Sequence, residues 1–307
     1  MEQIRTLDQM LEVAKKIGAE KGKKRVSVAM AEDAGLLSAI DDAHKFGLID
    51  ATLVGNLEKM KACAAEAKID LSKYNLIEEK SESGCGLTAV AEVSSGRADI
   101  YMKGQLHTDH FLRAMLNKEV GLRSGKVISH VYFHQIEGYN RILFISDAAF
   151  NTYPDLKSKA DILQNTVNFA RALGVETPKV ACLAAVEVVN PDMPCTLDAC
   201  ALVQMCARGQ IKNCIVDGPL ALDNAINEEA AKIKKITSQV AGNADVLIVP
   251  NIDAGNMLAK SIVYFSKNET AGIIVGAKAP IVLTSRADSP RAKMLSIAAA
   301  VMASHAK

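Results

Sequence analysis

Short apolar segments rich in β-branched residues alternate with longer helical stretches along the whole chain. The first, RVSVAMA at 25–31, precedes the helical stretch GLLSAIDDAHKFG, and ATLVG follows it. This alternation predicts a mostly parallel sheet covered by helices on both faces, because parallel strands are joined by helical crossovers. Further strands are predicted at 98–102, 141–146, 179–185, 213–217, 244–250, 272–276 and 280–285, and helices at 85–96, 155–173, 196–208, 222–240 and 290–303.

The length and the net charge of the chain restrict how many domains we expect and which kinds of partner it can bind. A chain of 307 residues exceeds what one hydrophobic core usually serves, so we expect two domains with a cleft between them. The 36 lysines and arginines nearly balance 35 acidic residues, which argues against nucleic acid or a membrane as partner. No apolar stretch approaches the roughly 18 residues of a membrane span. The charged, amphipathic N-terminus is unlike a signal peptide, so we expect a cytoplasmic protein.

The seven cysteines indicate reduced thiols rather than a metal site or a disulfide framework. Four of them lie at 195, 200, 206 and 214, and these gaps match no common set of metal ligands. We therefore expect buried core cysteines and no metal.

Four loops that follow predicted strands carry polar side chains, and ligands in α/β sheets bind beyond the carboxyl ends of strands. The first loop places Lys103 at a strand exit, Thr108 or Asp109 at a helix start, and Arg113 one turn later. Two cations near a helix start suit a phosphate. A solvated lysine and arginine on a capped helix explain the same pattern.

The second and third loops differ in how much of them local structure explains. In the second loop, Asp217 is followed by turn residues and Asp223 is the predicted helix cap, so nothing there demands catalysis. The third loop carries Asn251, Asn256 and Lys260, which suit an anionic or amide-bearing ligand at a helix start. An ordinary asparagine cap is the alternative.

The fourth loop, VLTSRADSPRAK at 282–293, combines a helix start with two unexplained residues. Pro290, with Ser289 or Asp288 as the cap, predicts that a helix begins there. Ser285 and Arg286 precede the cap and are not explained by it. An arginine suits bidentate phosphate binding, and a serine can donate to a developing oxyanion.

The segments KGQLHT, DGPLALDNAI, VLIVPNIDAGNMLAKS and PIVLTSRADSP resemble, in this order, the phosphate acetyltransferase and phosphate butyryltransferase family. The similarity is closest to the butyryl branch and extends through SDAAFNTYPDLKSKADILQNTVNFARALGVETPKVACLAA. The resemblance implies reversible acyl transfer between coenzyme A and inorganic phosphate, with coenzyme A as a substrate and no tightly bound cofactor. It also implies a homodimer or higher homo-oligomer.

The fold implied by the resemblance is a two-domain, three-layer α/β/α fold like that of the isocitrate and isopropylmalate dehydrogenases. The active site of this fold lies in the interdomain cleft. The expected first domain comprises 1–135 and 280–307, and the second comprises 136–279.

The resemblance also assigns roles to particular residues. Ser285 and Arg286 match the serine and arginine of the acyl phosphate site, and Arg113 matches an anion-binding arginine. Asn256 and Lys260 from the third loop are further candidates for substrate binding. Lys103, Thr108 and Asn251 complete this set.

Two departures from the acetyl-transferring relatives affect the predicted chemistry. Ala292 stands where those relatives have an aspartate regarded as the base for the thiol, so Asp288 becomes the substitute candidate. Tyr264 stands where they have an arginine, which predicts a larger and less charged acyl pocket. The alternatives are a phosphate acetyltransferase, a dehydrogenase on a similar fold, and a non-catalytic coenzyme A or nucleotide sensor. A dehydrogenase is disfavoured because no convincing G-x-G-x-x-G follows a strand.

Overall fold

The computed structural model describes residues 2–283 and 288–305. They form two compact units. The first unit contains Asp8–Lys126 and the chain from Ala271 onwards, and the second contains the chain up to Leu7 together with Val127–Thr270. The domain boundaries expected at 135/136 and 279/280 and the expected cleft site stay predictions.

The helices and strands follow the alternation of the sequence. The strands are β1 (Lys24–Ala29), β2 (Ile49–Gly55), β3 (Asn75–Glu78), β4 (Ile100–Lys103), β5 (Ser129–Ile136), β6 (Ile142–Ser146), β7 (Lys179–Leu183), β8 (Ile215–Leu220), β9 (Val246–Ile248), β10 (Asn268–Val275) and β11 (Ile281–Val282). The α-helices are α1 (Leu7–Lys21), α2 (Ala34–Phe46), α3 (Leu57–Ala67), α4 (Glu82–Ser94), α5 (Thr108–Met115), α6 (Leu156–Ala172), α7 (Pro194–Ala207), α8 (Leu222–Ile226), α9 (Glu228–Ile233), α10 (Ile252–Phe265) and α11 (Pro290–His305). A short 3₁₀ turn lies at Leu71–Lys73.

The sheet of the first unit has the order β3-β2-β1-β4-β11-β10. All of its pairings are parallel except that of β10 with β11. Every residue of β4 is buried, as are the last four of β1. Such unbroken burial means that both faces of the sheet are covered, as the sequence predicts.

The sheet of the second unit has the order β5-β6-β9-β7-β8, and only β5 runs antiparallel to its neighbour. Three aromatic rings pack together at this sheet. The ring centre of Phe169 on α6 lies 5.6 Å from that of Phe133 and 5.8 Å from that of Phe144. The predicted mixed α/β class with a mostly parallel sheet is therefore confirmed.

The helix predicted over 222–240 is wrong. The chain forms α8 and α9 instead, because Asn227 adopts an extended backbone between them (φ −126°, ψ 116°) and its side chain accepts a hydrogen bond from the N–H of Ala230. Helix α9 then ends before Lys235, whose φ is +56°. An asparagine in this position starts a new helix rather than continuing an old one.

Two predicted helix caps are also wrong, by one to two residues. Helix α5 begins at Thr108 itself, after His107, so neither Thr108 nor Asp109 is the cap. Helix α8 follows Ala221, which places Asp223 inside the helix. The negative charge of Asp109 or Asp223 near a helix start is favourable without a capping bond.

Candidate functional site

The first loop places a buried cation at the carboxyl end of β4. Lys103 is only 7% exposed, and its Nζ donates to the carbonyl of Gly104 at 3.3 Å. A Cβ on Gly104 would lie 2.2 Å from the carbonyl oxygen of Met30, so only glycine allows this close passage of two backbones. Thr108 and Arg113 follow on α5 with exposed side chains. The segment thus presents one buried and one exposed cation.

Strand β11 leaves the sheet beside Lys103, because Val282 pairs with Met102 in the parallel register. Ser285 and Arg286 come three and four residues after Val282 and lie outside the described residues. Asp288 is half-buried. The cap of α11 is Ser289, whose Oγ accepts from the N–H of Ala292 at 3.1 Å. Ser289 therefore provides a cap for helix α11.

Helix α10 carries the candidates of the third loop. Asn251 is its cap and accepts from the N–H of Ala254 at 3.0 Å. Asn256, Lys260 and Tyr264 follow at four-residue intervals, which places them along one face of the helix. Lys260 is exposed, and Tyr264 is 79% exposed. The helix therefore brings together three predicted residues from the second unit, while Lys103, Thr108 and Arg113 belong to the first.

One loop beside α10 was missed by the sequence reasoning. Asp147 follows β6 directly, and its buried carboxylate accepts hydrogen bonds from the backbone of Ala149, Phe150 and Asn151. Strand β6 pairs in parallel with β9, whose carboxyl end leads into α10. The only local signal for this loop is an aspartate directly after a strand, with an asparagine four residues later.

Burial shifts the pKa of several groups in both units. It raises the pKa of the Cys85 thiol, which is also close to Glu32, to about 11. In β5, burial lowers the pKa of His130 and of His134 to about 4. All seven cysteines are free thiols; Cys85 and Cys182 are buried, and the other five are partly exposed, unlike the expected buried core cysteines. Within residues 2–283 and 288–305, no group of three or more His, Cys, Asp or Glu side chains is arranged to hold a metal ion, and no helix has the length and apolar character of a membrane span.

Comparison with known proteins connects these loops to one family. The model of the family described as "Phosphate acetyl/butaryl transferase" matches residues 85–301. The chain belongs to this family. The matched range contains every candidate site residue, from Lys103 in the first loop to Asp288 before α11.

Members and distant structural relatives of the family give the extent of the similarity. The chain is 50% identical to phosphate butyryltransferase of Clostridium acetobutylicum, over 92% of this chain and 94% of that protein. A crystal structure of a branched-chain phosphotransacylase from Enterococcus faecalis is 31% identical, has a TM-score of 0.81, and covers 92% of this chain and 99% of that one. A 4-hydroxythreonine-4-phosphate dehydrogenase from Klebsiella pneumoniae, at 14% identity and a TM-score of 0.50 over 92% of this chain and 99% of that one, shares the fold alone.

Proposed function

We propose that this chain transfers a short-chain acyl group, butyryl above all, reversibly between acyl-coenzyme A and inorganic phosphate. The observation that carries the proposal is family membership combined with 50% identity to a phosphate butyryltransferase along 92% of the chain. Coenzyme A is then a substrate and a product. Acetyl transfer is the closest alternative, since the family description includes both acyl groups.

The reaction needs no covalent bond to the protein. In the acyl-phosphate-forming direction, a phosphate oxygen attacks the thioester carbonyl, the new C–O bond forms, and the C–S bond breaks with departure of the coenzyme A thiolate. Keeping a thiol of pKa near 8.5 as the thiolate at pH 7 costs roughly 2 kcal/mol, which one nearby cation or proton donor can supply. Correct positioning of two bound reactants is then the main source of rate.

Each candidate residue has a role in this scheme. Arg286 holds the phosphate in line with the carbonyl, and Ser285 donates to the oxyanion or the leaving sulfur. Lys103 supports the phosphate site as a buried cation at the end of the strand that pairs with β11. Asp288 is the candidate base for the coenzyme A thiol in the reverse direction.

The roles in α10 and α5 complete the proposal. Asn251, Asn256 and Lys260 bind the anionic or amide-bearing parts of the substrates. Thr108, at the start of α5, and Arg113, in its last turn, bind anionic groups. Tyr264 contributes to an acyl pocket that is less charged than in the acetyl-transferring relatives.

The decisive experiment measures thiol release from acyl-coenzyme A with and without inorganic phosphate. We expect phosphate-dependent release, fastest with butyryl-coenzyme A in a series that runs from acetyl to butyryl. A maximum at acetyl would favour the acetyl alternative. Thermal stabilisation by coenzyme A without thiol release would instead indicate a sensor.

Two variants test the assigned residues. Arg286→Ala is expected to lose most of the turnover without unfolding, and Ser285→Ala is expected to lose less. Arg97→Ala is the matched control, because Arg97 forms an ion pair with Glu92 (2.8 Å) before β4, at the amino end of that strand. Wild-type turnover in folded Arg286→Ala would refute the assignment.

We further propose that the protein acts in the cytoplasm as a homodimer. Helix α10 supports the dimer with two exposed apolar side chains, because Met257 and Phe265 are 63% and 90% exposed. Light scattering after gel filtration is expected to give twice the chain mass of 32.8 kDa. Phe265→Asp is expected to lower this mass if the helix forms the interface, and a monomeric wild type would refute the proposal.

A further inference from the structure

The carboxylate of Asp147 organises the loop between β6 and α6. It is 3% exposed, and its Oδ1 accepts from the N–H groups of Ala149 and Phe150, both at 3.0 Å. Its Oδ2 accepts from the backbone N–H of Asn151 at 3.3 Å and from the Asn151 side-chain amide at 2.6 Å. Both carboxylate oxygens are therefore used, and the four residues after Asp147 are wrapped around its side chain.

The same carboxylate ties this loop to the beginning of β5. Its Oδ2 also accepts from the N–H of His130 at 3.2 Å. The amide of Asn151 donates in addition to the carbonyl of Ile128 at 2.9 Å. Asp147 therefore fixes the loop against a neighbouring strand as well as upon itself.

The loop in turn fixes the first turns of α10. The Nδ2 of Asn256 donates to the carbonyl of Ala148 at 3.0 Å, and the N–H of Ile252 donates to the carbonyl of Thr152 at 3.0 Å. Gly255 allows a close approach, because a Cβ there would lie 2.8 Å from the carbonyl oxygen of Asp147 and 2.7 Å from Val249. A continuous chain of contacts thus leads from the Asp147 carboxylate to Asn256.

We infer that Asp147 is a positioning residue for the acyl transfer: through the loop 148–152 it holds the start of α10, and with it Asn256, in the geometry that the reaction requires. The inference rests on the proposed function. Asp147 itself need not touch a substrate, since its oxygens are occupied by the five hydrogen bonds described above. Displacing reactants by about an ångström can cost a hundredfold in rate, so a small movement of α10 is enough to reduce turnover.

The test replaces Asp147 by asparagine. The asparagine side chain keeps one acceptor oxygen, but its NH2 group is a donor in place of the second oxygen. This NH2 group would face N–H groups that are donors too, so the hydrogen bonds on that side are lost. We expect kcat for phosphate-dependent thiol release to fall by about tenfold or more, and KM for acyl-coenzyme A to change less than kcat.

The matched control is Asp245→Asn. Asp245 is also buried in the second unit (6% exposed) and accepts from the N–H of Lys179 at 2.9 Å and from Arg141 at 3.4 Å. It lies just before β9, at the amino end of the strand whose other end leads to α10. Its variant is expected to lose stability but to keep kcat and KM within about twofold, which separates a kinetic effect from a general loss of stability.

A second variant applies if Asp147→Asn does not fold. Gly255→Ala pushes the loop and α10 apart at their closest contact, and we expect it to lower kcat in the same way. Wild-type kcat in folded Asp147→Asn, or in folded Gly255→Ala where the former does not fold, overturns the inference and leaves the proposed function intact. Absence of phosphate-dependent thiol release in the wild-type protein overturns the proposed function, and the inference falls with it.

Discussion

Acidification from pH 7 to pH 5 is expected to destabilise the second unit because of two buried histidines on β5. His134 is fully buried, its Nδ1 lies 2.8 Å from the Oγ1 of Thr270, and its Nε2 has no hydrogen-bond partner among the described residues. Burial lowers its pKa from 6.5 to about 4, and the nearby His130 acts in the same direction. Burial also lowers the pKa of His130 to about 4, against the opposing charge of Asp147.

The sign of the effect follows from proton binding. In the unfolded chain a histidine takes up a proton below about pH 6.5, whereas the folded protein keeps His134 neutral until about pH 4. The contribution of His134 to the unfolding free energy is therefore fully present above pH 6.5 and is lost as the pH falls from 6.5 towards about 4. Since one pKa unit corresponds to about 1.4 kcal/mol, the loss between pH 7 and pH 5 is about 2 kcal/mol for each histidine.

The assay is urea unfolding followed by circular dichroism at pH 7 and pH 5. His134→Gln is expected to reduce the difference in unfolding free energy between the two pH values by about 2 kcal/mol relative to wild type. Phe133→Leu, on the same strand with its side chain fully buried, is the control and should lower stability equally at both pH values. If His134→Gln shows the same pH difference as the wild type, the reasoning is refuted.

Three further predictions concern local packing and thiol chemistry. Gly104→Ala is expected to destabilise the protein by about 2 kcal/mol or more, measured by urea unfolding, because its Cβ would lie 2.2 Å from the Met30 carbonyl oxygen. Phe111→Ala is expected to lower the unfolding free energy by about 3–5 kcal/mol in the same assay, since the Phe111 ring is fully buried. Cys85 and Cys182, whose pKa values are raised by burial, are expected to be the last thiols modified by a disulfide reagent in the native protein, as followed by peptide mass spectrometry.

The α/β class was predictable because buried parallel strands leave an uninterrupted apolar trace in the sequence. Strand β4 is buried at every position, and its segment was found from composition alone. Strand β5 was missed for the opposite reason: it carries His130 and His134, which look like surface residues in a sequence but are buried in the structure. The apolar pattern cannot reveal a strand that buries polar side chains on one face.

Candidate residues were predictable where a local rule applies. Pro290 and Ser289 mark the beginning of α11, and Asn251 marks that of α10, because a cap bonds to backbone groups only two or three residues away. The hydrogen bonds of Asp147 follow this local rule only in part, because its carboxylate also accepts from the N–H of His130, which lies 17 residues earlier in the chain. In the loop after Asp147, the carbonyl of Ala148 accepts from the side-chain amide of Asn256, which lies 108 positions later in the chain. Contacts over such distances are specified by the fold and cannot be read from spacing.

The two sides of α10 show how packing and chemistry depend on each other in this protein. The buried side of α10 carries small residues, Gly255 and Ala259, and Gly255 lets the helix lie directly against Asp147 and Ala148. A larger residue at 255 would move the backbone rather than a flexible side chain, because the carbonyl oxygen of Asp147 lies in the way. Since Asn256 and Lys260 stand on the same rigid helix, any such movement displaces them as well. The small buried residues of α10 therefore determine where Asn256 and Lys260 lie relative to the loop after Asp147.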